Sequence, residues 1–518
     1  MGFKKTLIAT AVTASILSMT GCNESDSTDN TTGSAGITTL TNDNIYMLAS
    51  GFPGTRIGNG HEVDGDSTNN TAAKLVIEPG TLILGSDKEA LIVTRGSKIE
   101  AIGTAADPIV MTSKAQFDYW VAGQTIGGNA PGTSGRGEWA GLALMGYAKS
   151  NECADPCDVE AEGGVGAYGG TNDADSSGTL KYVVVRHAGN EITAGNELNG
   201  ITLFATGSGT VMDYIQVHKG LDDGIEHFGG SDFMSHVVLT DNRDDSFDWG
   251  QGYTGGVQYM VVKQANDEAD RAIEADNDKD LPNKGPISLP TLANMTLMGA
   301  SAPATTDPDG ILLRRGTGAK IYNSIVTGFV DNCFDVDEKA TMERAYSVTN
   351  SDYTGDLTVD NTFTDCATNF KTGDQDLNND TVKDQFADFG LPNVADWFAN
   401  SGTGNTDSVA VDLSSSGLPQ NAFASAVAVT APTIGNAKFD DTAYAGAFDP
   451  SATTQWTDGW TVGLHGNNTV WEPASSGTLA GNAPSSDGSC PTGTTFVKKV
   501  TLPETGGEMD LCQLKAQY

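Results

Sequence analysis

Six four-residue blocks line up column by column: NGIT from Asn199, DGIE from Asp223, DSFD from Asp245, RAIE from Arg271, DGIL from Asp309 and NCFD from Asn332. The third residue is always Ile or Phe and the second is always small. The anchors Ile201, Ile225, Phe247, Ile273, Ile311 and Phe334 follow one another at steps of 24, 22, 26, 38 and 23 residues. The long step holds an inserted loop, DKDLPNKGPISLP. Between the blocks run short β-rich stretches, among them DYIQV, HVVLT, VQYMVV and KIYNSIV. A period in the low twenties built on strands is the signature of a solenoid, in which each repeat buries its apolar face only against its neighbours. The anchor points inward along the axis, the small residue makes the corner, and the residues flanking the anchor point outward. The expectation is an all-β chain, a right-handed parallel β-helix over residues 46–370. LVIEPGTLILGS, ALIVTRGSKIEAIG, PIVMTS and WAGLALMG serve as earlier coils, and a loop insertion falls near 147–180. Residues 371–518, with Trp397, Trp456, Trp460 and Trp471, form an irregular C-terminal cap expected to pack on the last coils.

A solenoid also removes the difficulty of length, since 518 residues exceed the usual span of one compact domain but not of a repeat array. Charge narrows the partners. With 29 Lys+Arg against 67 Asp+Glu, the formal net charge is -38, which repels nucleic acid and anionic membrane surfaces and suits a solvated wall or a cation ligand.

The N-terminus MGFKKTLIATAVTASILSMTGC carries two lysines, a short apolar run and small residues before Cys22, the pattern of a secretory signal over residues 1–21. Met19–Cys22 resembles the lipobox of bacterial lipoproteins, with Met where Leu is usual, and implies acylation of Cys22. Asn23 looks like an outer-membrane address. The polar run NESDSTDNTTGSAG suits a flexible tether over 22–45. Six cysteines remain: Cys153, Cys157, Cys333, Cys366, Cys490 and Cys512. An even number in an exported chain reads as disulfides; nearest-neighbour pairing is the simplest of several arrangements, and a zinc site at ECADPC is the rival.

The stretches SSGTLKYVVVRHAGNE, ELNGITLFATGSGTVMDYIQV, DDGIEHFGGS, DDSFDWGQGYTGGVQYMVV and LLRRGTGAKIYNSIV, with YAGAF and WTDGW later, resemble those of exported parallel β-helix lipoproteins of Gram-negative bacteria over residues 75–460. The resemblance implies fold and export, and the group carries no assigned activity. At a coarser level the architecture looks like that of pectate lyases, an analogy of fold.

Three columns of charge flank the anchors. Glu226, Asp248 and Glu274 form one, Asp222, Asp244 and Asp270 a second, and Asp223, Asp245, Arg271 and Asp309 a third, in which Arg271 neutralises its neighbours. Coils stack about 4.8 Å apart, so like charges in a column raise one another's proton affinity unless a cation intervenes. Clustered hard oxygens suit Ca²⁺, making Asp222, Asp223, Glu226, Asp244, Asp245, Asp248 and Glu274 candidate ligands. The plainer alternative is a hydrated acidic wall whose aspartates cap turns.

Trp249 and Tyr253, with Phe228, offer a sugar-stacking platform beside the carboxylates, and Arg314 and Arg315 are candidate ligand-binding cations. A lyase would use Ca²⁺ with Arg314, Arg315, Arg243 or Lys219 as base. An inverting glycosidase would need carboxylates about 6.5–9.5 Å apart. Neither motif set is assembled; the only NTD triplet, at Asn405, and the only His-Gly, at His465, lie in the cap. His187, His218, His227 and His236 fall on scattered faces, which favours ordinary packing over a metal centre. LPETGG at Leu502 spells a sortase signal but lacks the apolar stretch and basic tail that sortase requires. The reading therefore leans away from catalysis, toward a surface-exposed outer-membrane lipoprotein that binds an acidic glycan through a calcium-loaded face. A β-helix lyase or glycoside hydrolase is one alternative; an adhesin or accessory lipoprotein of a TonB-dependent transporter is another.

Overall fold

A computed structural model describes residues 36–60, 71–122, 135–153, 157–193, 195–303, 308–372, 377–378, 383–407, 437–464, 490–491, 494–502 and 506–518. Cys22, His465 and Trp471 lie outside them. The described chain is a parallel β-helix. One sheet of ten short strands takes one strand per coil, from Gly54–Ile57 to Thr368–Phe370, and all its pairings are parallel. The register stacks Ile201, Ile225, Phe247, Ile273, Ile311 and Phe334 on one another. All six are wholly buried. The expected inward column is the observed one, and its unbroken apolar contact is the main source of stability in a fold whose coils touch only their neighbours.

The opposite wall is built from longer strands, among them Gly178–Arg186, Val211–His218, Phe233–Thr240, Gly256–Lys263 and Thr291–Met298. Each bends midway at one residue with positive φ: Tyr182, Tyr214, His236, Tyr259 and Asn294, at 48°, 57°, 55°, 60° and 52°. In the coils on either side the same bend splits the strand in two, as between Lys98–Ile102 and Ile109–Ser113, or between Ala319–Tyr322 and Ile325–Thr327, where Asn323 occupies the bend. Coil strands begin at Ile37–Leu40, inside the segment expected to be a tether.

Outside the solenoid, two sheet faces remain apolar and are clad. The expected loop insertion, after Gly141–Met145, folds back on the coils. Its residues Ala161, Val165 and Tyr168, with Ile192 and Leu198 from a later excursion, lie on Ile92, Ala143, Met145 and Phe204 of the short-strand sheet. Cys153–Cys157 closes a loop within it. On the other side, Ala447, Phe448, Trp460 and Leu464 cover Val184, Val238 and Val261. The C-terminal region therefore divides three ways. Val394–Asn400 is a helix whose Trp397 and Phe398 sit 5.7 and 5.4 Å from Phe334 and plug the last coils. Residues 437–464 run alongside the coils. The final hairpin, Thr494–Thr501 with Glu508–Leu514, returns to the first coil and pairs in parallel with Asn44–Met47. Only the first part behaves as the expected cap on the last coils, because the pairing of residues so far apart leaves no local pattern in the sequence. Cys333–Cys366 and Cys490–Cys512 are the remaining disulfides. Among the described residues no helix is long and apolar enough to cross a membrane.

Candidate metal centre

The acidic columns lie where the insertion ends and the outer face of the short-strand sheet turns from apolar to charged. Register places Glu226, Asp248 and Glu274 side by side on successive strands. The corner column has a structural duty. Asn199 Oδ1 accepts the Asp223 N–H at 3.1 Å, Asp223 Oδ1 accepts the Asp245 N–H at 3.0 Å, and Asp245 Oδ1 accepts the Arg271 N–H at 2.8 Å. Asp309 Oδ1 accepts the Asn332 N–H at 2.9 Å further on. Each side chain thus satisfies a backbone donor one coil later, which explains Asn or Asp at every corner but Arg271 without any ion.

Two gaps between coils differ in what fills them. In the second, between the coil of Asp244–Asp248 and that of Asp270–Glu274, Arg271 Nη1 reaches Asp270 at 2.6 Å and Glu274 at 3.2 Å. Arg314 pairs with Glu274 and, at 2.8 Å, with Asp276, and Arg315 also pairs with Asp276. In the first gap, between Asp222–Glu226 and Asp244–Asp248, the position equivalent to Arg271 is Asp245. Among the described residues no basic side chain forms an ion pair with Asp222, Asp223, Glu226, Asp244 or Asp248. Oxygens of Asp222, Asp223 and Asp244, and of Asp223, Glu226 and Asp248, lie within 4.8 Å of one another, which matches the widest separation of two ligands about a Ca²⁺ with bonds of about 2.4 Å. Similar groupings, Asp244 with Asp245 and Asp270, and Asp245 with Asp248 and Glu274, fall in the gap that the guanidinium already serves.

The electrostatics follow from burial first and crowding second. Asp222 is pushed up to about 8 by burial and then by Asp244, Glu197 and Glu162. Burial, followed by neighbouring carboxylates, holds Asp223, Glu226 and Asp248 well above the usual range. Asp245 is likewise raised, by burial and Glu274, with Arg271 opposing. Glu274 is raised by burial, with Arg314 opposing. Two contributors escape sequence reasoning. Glu162, at the turn of the insertion, is pushed up to about 7 by burial and Glu197, and Glu197 is raised by burial, Glu191 and Asp244. The acidic composition of ECADPCDVEAEGG is the one sequence signal of charge carried by the insertion.

Several expected ligand contacts need correction. Trp249 and Tyr253 are wholly buried. Trp249 lies two residues after Phe247 on the same inward face and donates to Thr317 Oγ1 at 3.0 Å, while Tyr253 donates to the Asp232 carbonyl at 3.2 Å. Neither can stack on a sugar. Phe228 lies 4.9 Å from Phe204 and packs against the apolar patch that the insertion covers. Arg314 and Arg315 are committed to the ion pairs above, and Arg243 pairs with Glu268 at 3.0 Å, so they are not free cations for a ligand or a base. The four histidines bond separately, to the Gly135 carbonyl, Thr240, Asp232 and Asp213, and among the described residues none joins a metal-spaced cluster.

Comparison with known proteins agrees with the architecture. No curated protein matches the chain. Among solved structures the chain is similar to the crystal structure of the periplasmic alginate epimerase AlgG, at 10% identity over 57% of this chain and 68% of that one, with a TM-score of 0.21, too distant to inform the chemistry. Residues 56–409 match the sequence family described as a pectate-lyase-like beta helix domain, and with that match spanning most of the coils the chain belongs to the pectate-lyase-like β-helix family.

Proposed function

We propose that the protein binds Ca²⁺ in the first gap, through Asp222, Asp223, Glu226, Asp244 and Asp248, and that the loaded wall retains an anionic glycan outside the cell, where acylated Cys22 anchors the chain to the outer membrane. The observation that supports this most is the contrast between adjacent gaps. The same carboxylate geometry recurs one coil apart; one copy is ion-paired by Arg271, and in the other no basic side chain among the described residues forms an ion pair, although Arg314 and Arg315 act on Asp248 from the next coil. Asp222, Glu226, Asp244 and Asp248 are only half-buried, so an ion there keeps positions open to solvent. An anionic ligand gains nothing from the carboxylates and everything from the ion, which makes retention strictly calcium-dependent. Binding rather than cleavage is the reading we favour because Arg243, Arg314 and Arg315 are engaged in ion pairs.

The test is calorimetric titration and thermal unfolding of the mature chain. Because a ligand of the folded state stabilises it, Ca²⁺ at about a hundredfold excess over Kd adds roughly 2.7 kcal/mol, so the melting temperature should rise in millimolar Ca²⁺ and fall back with chelator. Asp222→Asn with Asp244→Asn should abolish the rise, and Arg271→Met should open the second gap and raise the stoichiometry. Retention on an immobilised polyuronate should vanish with chelator. A melting curve indifferent to Ca²⁺ sinks the cation site; chelator-resistant retention sinks only the bridging role.

A further inference from the structure

On the outer side of the bend, four rings stand in file, one per coil. Tyr182 and Tyr214 are 4.2 Å apart, Tyr214 and His236 4.2 Å and nearly parallel, and His236 and Tyr259 4.9 Å. The next bend residue, Asn294, ends the file and donates to the carbonyls of Tyr444 at 3.0 Å and Gly446 at 3.2 Å. This pins residues 437–464 beside the last rings. Trp456 is fixed by its indole N–H on the Ala447 carbonyl at 2.8 Å and meets His236 edge-on at 5.0 Å. The result is a cavity of about 320 Å³ lined by His236, Tyr259, Tyr444, Trp456, Asp440 and Asp449, at the small end of the range for ligand pockets.

Charge decides what would enter. Asp440 accepts the Tyr259 hydroxyl at 3.1 Å, and Asp449 accepts the backbone and hydroxyl of Ser451 at 2.8 and 2.7 Å. Among the described residues neither forms an ion pair. The basic groups beside the file are committed elsewhere, His236 to Asp213 at 2.9 Å and Lys181 to Asp213 at 3.0 Å. Both faces of His236 are taken by Tyr214 and Tyr259, so the lining offers the rings of Tyr259, Tyr444 and Trp456 together with two carboxylates that no described basic group pairs. A metal ion fits poorly, since neither carboxylate belongs to a cluster with ligand spacing. A neutral sugar could stack but would leave both charges unanswered. We propose that this cavity binds a small organic cation of the alkylammonium class, held by cation–π contact with the rings and by Coulomb attraction to Asp440 and Asp449.

The test is isothermal titration of the mature full chain with choline and with its uncharged isostere 3,3-dimethylbutan-1-ol, followed also by tryptophan fluorescence. Choline should bind with one-to-one stoichiometry and the isostere at least about tenfold more weakly, the difference a desolvated cation–π contact makes. Trp456→Ala and Asp449→Asn should each weaken choline about tenfold or more. Asp449→Asn, on an open loop, should keep the parent's melting temperature, which separates lost binding from lost folding. Equal affinity for choline and the isostere, no heat or fluorescence change at millimolar choline, indifference to both variants, or saturable binding of neutral monosaccharides in place of choline would each overturn the proposal.

Discussion

At the scale of single residues, the acidic wall has a direct consequence for the dependence of stability on pH. A carboxyl whose folded value is raised binds more protons in the folded state than in the unfolded, so stability falls as pH climbs from the unfolded to the folded value. Asp222 at about 8 and Glu162 at about 7 extend that fall from about pH 4, the ordinary carboxyl value, up through neutrality. His187 and His218, kept neutral by burial, act in the opposite direction but only below about 6.5, their ordinary value. Between about pH 6.5 and 8.5 the calcium-free protein should lose on the order of 1 kcal/mol, a figure discounted for water at these half-buried groups. Saturating Ca²⁺ should flatten the slope, as should Asp222→Asn; chemical denaturation across that range with and without chelator reads both. The face of each residue was legible from the period of two. By that rule Trp249, two positions past Phe247, had to point inward with His227, and the platform expectation overlooked it. Glu162 and Glu197 were not legible, since their approach to Asp222 depends on how an irregular insertion folds back.

At the scale of elements, the strands were readable from alternation and β-branched content, but the bend that gives each coil its cross-section was not. The bend column reads Tyr, Tyr, His, Tyr, Asn and Asn at Tyr182, Tyr214, His236, Tyr259, Asn294 and Asn323, with no glycine to announce left-handed backbone. Stacked rings hold the first four in place, and hydrogen bonds to the covering segment hold the asparagines. Asn323 donates to the Thr442 carbonyl and hydroxyl, both at 3.0 Å. Asn294→Ala should therefore cost on the order of 2–4 kcal/mol, combining left-handed strain with the orphaned carbonyls of Tyr444 and Gly446. Asn294→Gly should recover about 1 kcal/mol by relieving the strain alone. Denaturant unfolding measures the difference, and limited proteolysis should cut within 437–464 sooner in both variants while the coils stay intact. Equal stability of the Ala and Gly variants would mean that the positive φ carries no cost.

At the scale of the whole molecule, a solenoid must do something with its two end coils, whose strands otherwise offer unpaired backbone and open core to another chain. The last coils are closed by Trp397 and Phe398. The first is closed by the most distant residues available: Glu508–Leu514 lies against Asn44–Met47, and the Tyr518 backbone exchanges hydrogen bonds with Arg56 and Gly58 at 3.0 and 2.8 Å. Leu40, Tyr46 and Leu48 are wholly buried at that end. Removing residues 490–518 should uncover them together with a free parallel edge, so the truncated chain should melt at lower temperature and self-associate at micromolar concentration, as light scattering would record. The Cys490–Cys512 bridge is lost in the same deletion, and Cys490→Ser with Cys512→Ser separates the two effects. That variant keeps the ladder to Asn44–Met47, so it should lose about 2–4 kcal/mol yet stay monomeric, because edge protection comes from strand pairing and the disulfide only restricts the unfolded chain. Association of the double-serine variant to the same extent as the truncation would transfer the protective role to the disulfide, and a monomeric truncation with an unchanged melting temperature would show that the first coil needs no cover.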